Sequence, residues 1–214
     1  MGSAQSDADT PPQPPPKEKK PGIYEQAVEG YDQLVKAIIR PPRAEYEEAH
    51  LGPREFSFGR RRFRRRDFNL RNDRGMNIVC SMWEPFDSER PSAELPCVIY
   101  MHGNSSARVE GLPELALCLS IGATMLSFDF TGSGQSEGEY VSLGFFERED
   151  LKTVVAHLRA SGRVTTIGLW GRSMGAATAL MHGDRDPSIA AMVQCYLSHI
   201  CSHSFPFFEP HHVA

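Results

Sequence analysis

The segment Gly171-Arg172-Ser173-Met174-Gly175 constrains this chain more than any other. It reads as a serine elbow, a sharp strand-to-helix turn that lifts a hydroxyl above a parallel sheet. Glycine flanks the serine because the turn is strained and neighbouring backbone approaches closely. Val164 to Trp170 reads as a strand leading into the turn, and Ala176 to Met181 opens a helix behind it. A chance Gly/Ser turn is the plain alternative, and this strand-turn-helix context argues against it.

The segments around the elbow follow the same logic. From residue 95 strands and helices alternate, which predicts a parallel sheet with crossover helices. Cys97 to Met101 and Ala123 to Phe128 read as buried strands, and Ile189 to Leu197 as one more. Leu112 to Leu119 and Phe145 to Arg159 read as helices, the second with an apolar stripe of Phe146, Leu151, Val154, Val155 and Leu158. Upstream, the arginine run from Arg60 to Arg66 leads to a turn at Asn72-Asp73-Arg74-Gly75. Met76 to Met82 then carries apolar residues at most even positions. That predicts a β-hairpin with one buried face. The arginines suit either a solvent-facing edge strand, where charge discourages aggregation, or an anion site. The edge strand is the simpler expectation.

A serine hydroxyl needs a base to take its proton and backbone N–H groups to hold the developing oxyanion. Ser173 is the candidate nucleophile. The Met174 N–H, opening the following helix, is the first oxyanion donor. The second belongs on the loop after an earlier strand, and His102-Gly103-Asn104 stands there. The Asn104 N–H is the candidate donor, with His102 and Gly103 shaping its loop. Gly171 and Gly175 support the elbow. The glycine-rich run from Asp129 to Gly138 lacks the third glycine of a dinucleotide fingerprint, since Glu137 stands in its place. It also has no lysine for phosphates. It is expected to shape the site, and no cofactor is implied.

Together these motifs, His-Gly-Asn, Asp129 through Gly138 and Gly-x-Ser-Met-Gly, resemble the α/β-hydrolase superfamily. They are especially similar to its BEM46-like and ABHD17-like serine-hydrolase branch, which includes palmitoyl-protein thioesterases. The resemblance covers about residues 23 to 193 and takes in Tyr31 to Val35 and Ile39 to Arg43. It implies an α/β fold with a mostly parallel sheet and flanking helices, and hydrolysis of an acyl ester or thioester. It also implies an acid and then a histidine after the serine. Only 41 residues follow Ser173. His182, His199, His203, His211 and His212, with Asp184, Asp186 and Glu209, lie in no family-like context, and the histidines match no recognised metal site. The expectation is a partial domain without its C-terminal strands, ending through a splice form, frameshift, intron read-through or gene-model error. Two functions follow: a serine acyl hydrolase of esterase, thioesterase or peptidase-like kind, acting on an ester, thioester or amide with weakened activity, or a non-catalytic interaction or regulatory fragment.

The remaining segments bear on location and partners. Residues 1–22 are proline-rich and expected to be disordered. Residues 23–52 form an amphipathic helix and connector, 53–198 the partial domain and 199–214 an irregular tail. The helix stripe of Tyr24, Val28, Tyr31, Val35 and Ile38 is expected to dock on the domain, because its polar face is of mixed charge. Met1-Gly2-Ser3-Ala4-Gln5-Ser6 matches the N-myristoylation pattern at Gly2, or is an ordinary start. One such chain gives reversible membrane association. Net charge is −4, which speaks against a nucleic-acid partner. Five cysteines without metal spacing, and no secretory signal, point to reduced thiols and a cytoplasmic protein.

Overall fold

A computed structural model describes residues 22–195. Contacts divide the chain into two units, Met1–Val35 and Lys36–Ala214. The described part of the first is the N-terminal portion of helix α1 (Ile23–Ile39), none of whose residues is buried. Tyr24, Tyr31 and Leu34 on it are all exposed.

The second unit is built on a seven-stranded mixed sheet. Its strands are β1 (Glu55–Phe58), β2 (Arg61–Arg71), β3 (Asn77–Pro85), β4 (Leu95–Met101), β5 (Thr124–Phe128), β6 (Val164–Arg172) and β7 (Ala191–Cys195). They lie in the order β1-β2-β3-β5-β4-β6-β7. β1, β2 and β3 run antiparallel to their neighbours, and β5, β4, β6 and β7 are parallel. Helices α2 (Leu112–Ser120), α3 (Glu147–Ala160) and α4 (Met174–Gly183) complete the crossovers.

Strand alternation sorts the core onto two faces. Cys97, Ile99 and Met101 of β4 join Leu126 and Phe128, Ile167 and Leu169, and the α3 residues Leu151, Val154 and Leu158. Val98 and Tyr100, the intervening residues, join Trp83, Met125, Trp170 and the α2 residues Leu115 and Cys118. Helices therefore cover both faces, as a parallel sheet requires. Burial pushes the Cys97 and Cys118 thiols up to about 12, so neither is a ready nucleophile.

The hairpin forms as the pattern predicts. The Gly75 N–H donates to the Asn72 carbonyl, and the Asn72 side-chain oxygen accepts from the Arg74 and Met76 N–H groups. Two expectations need correction. β2 is not an edge strand, because β1 pairs outside it. β1 is only four residues long and carries little pattern to read. Nor is β3 buried on one face only: Ser81 and Trp83 are buried as fully as Ile78 and Cys80. The β7 strand is shorter than its expected span, and Tyr196 and Leu197 lie outside the described residues.

Candidate active site

Both flanks of the serine turn are crowded by main chain. β6 ends at Arg172 and α4 begins at Met174, leaving Ser173 alone between them with φ 49° and ψ −110°. A positive φ is uncommon for a residue with a Cβ and signals a strained, over-determined turn. A Cβ on Gly171 would strike the Gly175 carbonyl, and one on Gly175 the Met101 carbonyl at the end of β4. These are contacts of main chain with main chain, so neither partner can yield.

The Ser173 N–H donates to the Cys195 carbonyl at 2.9 Å, fastening the turn to the end of β7. Ser173 itself is exposed, and Met174 is buried at the start of α4. The N–H groups of a first helical turn have no intrahelical acceptor. The Met174 N–H is therefore available at the positive end of the α4 dipole.

The His102-Gly103-Asn104 loop follows β4 and is held from three sides. The His102 Nε2 accepts from the Phe130 N–H at 3.1 Å, so the ring proton sits on Nδ1. Nδ1 then donates to the Gly103 carbonyl at 2.7 Å. Burial pushes the His102 pKa down and keeps the ring neutral. The Gly103 N–H donates to Glu110 Oε1 at 3.0 Å. With its carbonyl held by His102, the Gly103–Asn104 peptide is fixed in plane, and its trans geometry turns the Asn104 N–H away from the ring.

Glu110, which the sequence reading did not single out, links this loop to the serine turn. It lies at the 3-10 turn Arg108–Gly111 and accepts from Gly103 and the Tyr100 hydroxyl. It also pairs with the Arg172 guanidinium through Nε, at 2.7 Å, and through Nη2. Burial alone would raise the Glu110 carboxyl. The hydrogen bond from Arg172 and further bonds override that and hold it below the usual carboxylate range. The guanidinium of Arg172 lies against Gly103. One carboxylate thus ties the residue before Ser173 to Gly103, the residue before Asn104.

The glycine-rich run wraps a second buried carboxylate. Asp129 accepts from the Arg108 N–H at 2.6 Å, the Gln135 N–H at 2.8 Å and the Tyr46 hydroxyl at 2.5 Å. Arg108 adds an ion pair at 3.2 Å. Arg43 donates to three carbonyls of the same loop, those of Gly134, Ser136 and Gly138. The loop is occupied with internal bonds, in keeping with a shaping role.

Among the described residues none hydrogen-bonds the Ser173 hydroxyl. His182 lies nine residues along α4, ~13 Å from Ser173 at 1.5 Å per residue, and faces Asp186 at 3.4 Å. His102 has both ring nitrogens engaged. His157 stacks on Phe68, and His50 caps Glu47. His199, His203, His211, His212 and Glu209 lie outside the described residues, as does Gly2. No group of three or more His, Cys, Asp or Glu is placed to hold a metal among the described residues.

The chain has the α/β-hydrolase fold. Residues 98–196, which hold both the His-Gly-Asn loop and the serine turn, match the family profile described as serine aminopeptidase, S33. The uncharacterized protein YqkD of Bacillus subtilis is 37% identical over 86 residues, 40% of this chain and 28% of that protein. The esterase Pf2001 of Pyrococcus furiosus superposes with TM-score 0.57 at 26% identity, covering 72% of this chain and 56% of the esterase. The hypothetical protein PA2218 of Pseudomonas aeruginosa gives TM-score 0.56 at 21% identity, over 65% of this chain and 44% of that one. The chain therefore spans little more than a quarter of its curated relative and about half of these solved structures.

Proposed function

We propose that this chain carries the nucleophile half of an α/β-type serine hydrolase acting on an acyl ester or thioester. Ser173 attacks the acyl carbonyl, and the Met174 and Asn104 N–H groups receive the oxyanion. The observation that carries this reading is the Ser173 backbone, held at φ 49° between a strand and a helix by main-chain contacts on both sides. Such strain has no structural return of its own and fits a hydroxyl presented for chemistry. Likeness to the Pyrococcus furiosus esterase supports an ester substrate. A thioester substrate, as in the palmitoyl-protein thioesterase branch, and lipidation at Gly2 with reversible membrane association extend the same proposal.

With no base beside Ser173 among the described residues, turnover is expected to be slow. Oxyanion binding and positioning without a triad leave roughly 10³–10⁴-fold over water in worked serine proteases. The test is hydrolysis of p-nitrophenyl esters by the full chain beside Ser173→Ala. Slow release that falls in Ser173→Ala to that serine-independent residual is expected. Release unchanged by Ser173→Ala would overturn the assignment. The same absence of a base favours a second reading, a non-catalytic binding module, which predicts substrate-analogue binding without Ser173-dependent turnover.

A further inference from the structure

Far from Ser173, at the end of the sheet where β4 and β6 begin, four arginines converge. Arg64 and Arg66 come from β2, Arg90 follows β3, and Arg163 precedes β6. All four pair with one carboxylate, Glu84, and three of them donate hydrogen bonds to it. Its Oε1 accepts from Arg64 at 3.3 Å and pairs with the Arg66 guanidinium at 2.8 Å, and its Oε2 accepts from Arg90 at 2.9 Å and Arg163 at 3.1 Å. Glu84 is fully buried. A second carboxylate, Asp87, sits at the surface between two of the same guanidiniums. It accepts from Arg163 at 2.6 Å and from Arg64 at 3.0 Å. Glu89 beside it is taken up by Arg62.

Four guanidiniums thus face two carboxylates, leaving two positive charges in excess. The Arg90 side chain is only 5% exposed, and its Nε has no partner. Burial, and then the charge of Arg163, push its pKa down, with Glu84 and Asp87 opposing. A surface depression opens at the cluster, lined by Asp87, Arg90, Ser92, Ala93, Gly162 and Arg163.

We propose that this depression is a phosphate-binding site, in which a phosphate group displaces the Asp87 carboxylate from between Arg64 and Arg163. Asp87 is exposed and belongs to a three-residue 3-10 turn, so it can leave without unpacking the core. Glu84 stays as the floor that holds the arginines together. A phosphate monoester brings close to two negative charges at neutral pH, matching the excess, and presents oxygens that suit the guanidinium fork. The two strands that begin here end at Met101 and Arg172, so the site is separate from Ser173 and does not rest on the serine chemistry. The phosphate can belong to a soluble phosphoester or to a phosphoinositide headgroup.

The test is calorimetric titration of the full chain with pyrophosphate at constant ionic strength. Cosedimentation with phosphatidylcholine vesicles containing phosphatidylinositol 4-phosphate runs in parallel. Arg163→Gln is expected to weaken binding about tenfold, the loss of one charge-assisted contact. Asp87→Asn is expected to tighten it several-fold by removing the competing anion. A folding defect cannot produce that gain. Pyrophosphate binding with both responses supports a soluble ligand, and vesicle binding with both responses supports a headgroup. No binding in either arm, or an affinity unmoved by Asp87→Asn, overturns the proposal.

Discussion

Gly175 admits no side chain, because the space a Cβ would take is occupied by the Met101 carbonyl. Gly175→Ala must push α4 away from β4, and overpacking a rigid contact costs about 1–3 kcal/mol or more. Denaturant unfolding should show at least that loss. Unchanged stability would mean that the two elements part easily. Glu110 gives a prediction in pH. Its folded carboxyl lies below the ordinary value of 4.5. Its contribution to stability is therefore full above 4.5 and is lost as pH falls through the lower folded value. Glu110→Gln should cost about 1.5–3 kcal/mol near neutrality, the range for hydrogen bonds to a charged group. The gap between the two chains should close below pH 4.5, and a gap constant with pH would remove Glu110 as the source. The glycines were legible in the sequence because their pattern is local. Glu110 was not, because its partners Gly103, Tyr100 and Arg172 come from three segments that only the folded sheet brings together.

The β2 strand shows what a charge run conceals. Seven consecutive residues read as one basic stretch, yet neighbouring arginines meet different environments. Arg61 is exposed, whereas the Arg65 side chain is 1% exposed. Arg65 pairs with Asp67 at 3.0 Å and Glu48 at 2.9 Å, and it donates to the Gly52 carbonyl. Asp67 also accepts from the Ser81 hydroxyl. Arg65→Ala strands the part-buried Asp67, and losing its hydrogen bonds to a charged group costs about 1.5–3 kcal/mol. Arg61→Ala should stay within about 0.5 kcal/mol. Equal losses in thermal unfolding would show that the strand is held by pattern alone. The turn at Asn72 to Gly75 between two strand-like runs placed the β2–β3 hairpin, though not which faces of β3 are buried. Their neighbour β1 escaped notice, and with it the position of β2 inside the sheet, because four residues give too few repeats to register. For the same reason the acids that meet the arginines were invisible: Glu84, Asp87 and Glu89 lie across a hairpin, not along a strand.

For the whole molecule, the parallel half was the legible half. Each β-α unit there repeats a local signal, and chain order sets the crossovers. What local signals do not fix is how each side of the sheet is finished. On one side β1 is a short strand, which blunts an edge. On the other, among the described residues, β7 pairs with β6 alone. Ala191, Met192 and Val193 on it are exposed, Met192 and Val193 at 45% and 46%. On the adjoining α4, Leu180 and Met181 are exposed as well. An exposed apolar edge strand is a template for pairing with another chain. The full chain is therefore expected to self-associate through β7 and to unfold at low temperature with aggregation. A charge at the centre of that edge, Val193→Lys, should shift the population toward monomer on size-exclusion chromatography, as lysine does on natural edges. The opposing result is a monodisperse wild-type monomer with a cooperative transition above roughly 50 °C, ordinary for a mesophile domain. It would show that residues after Cys195 close the edge.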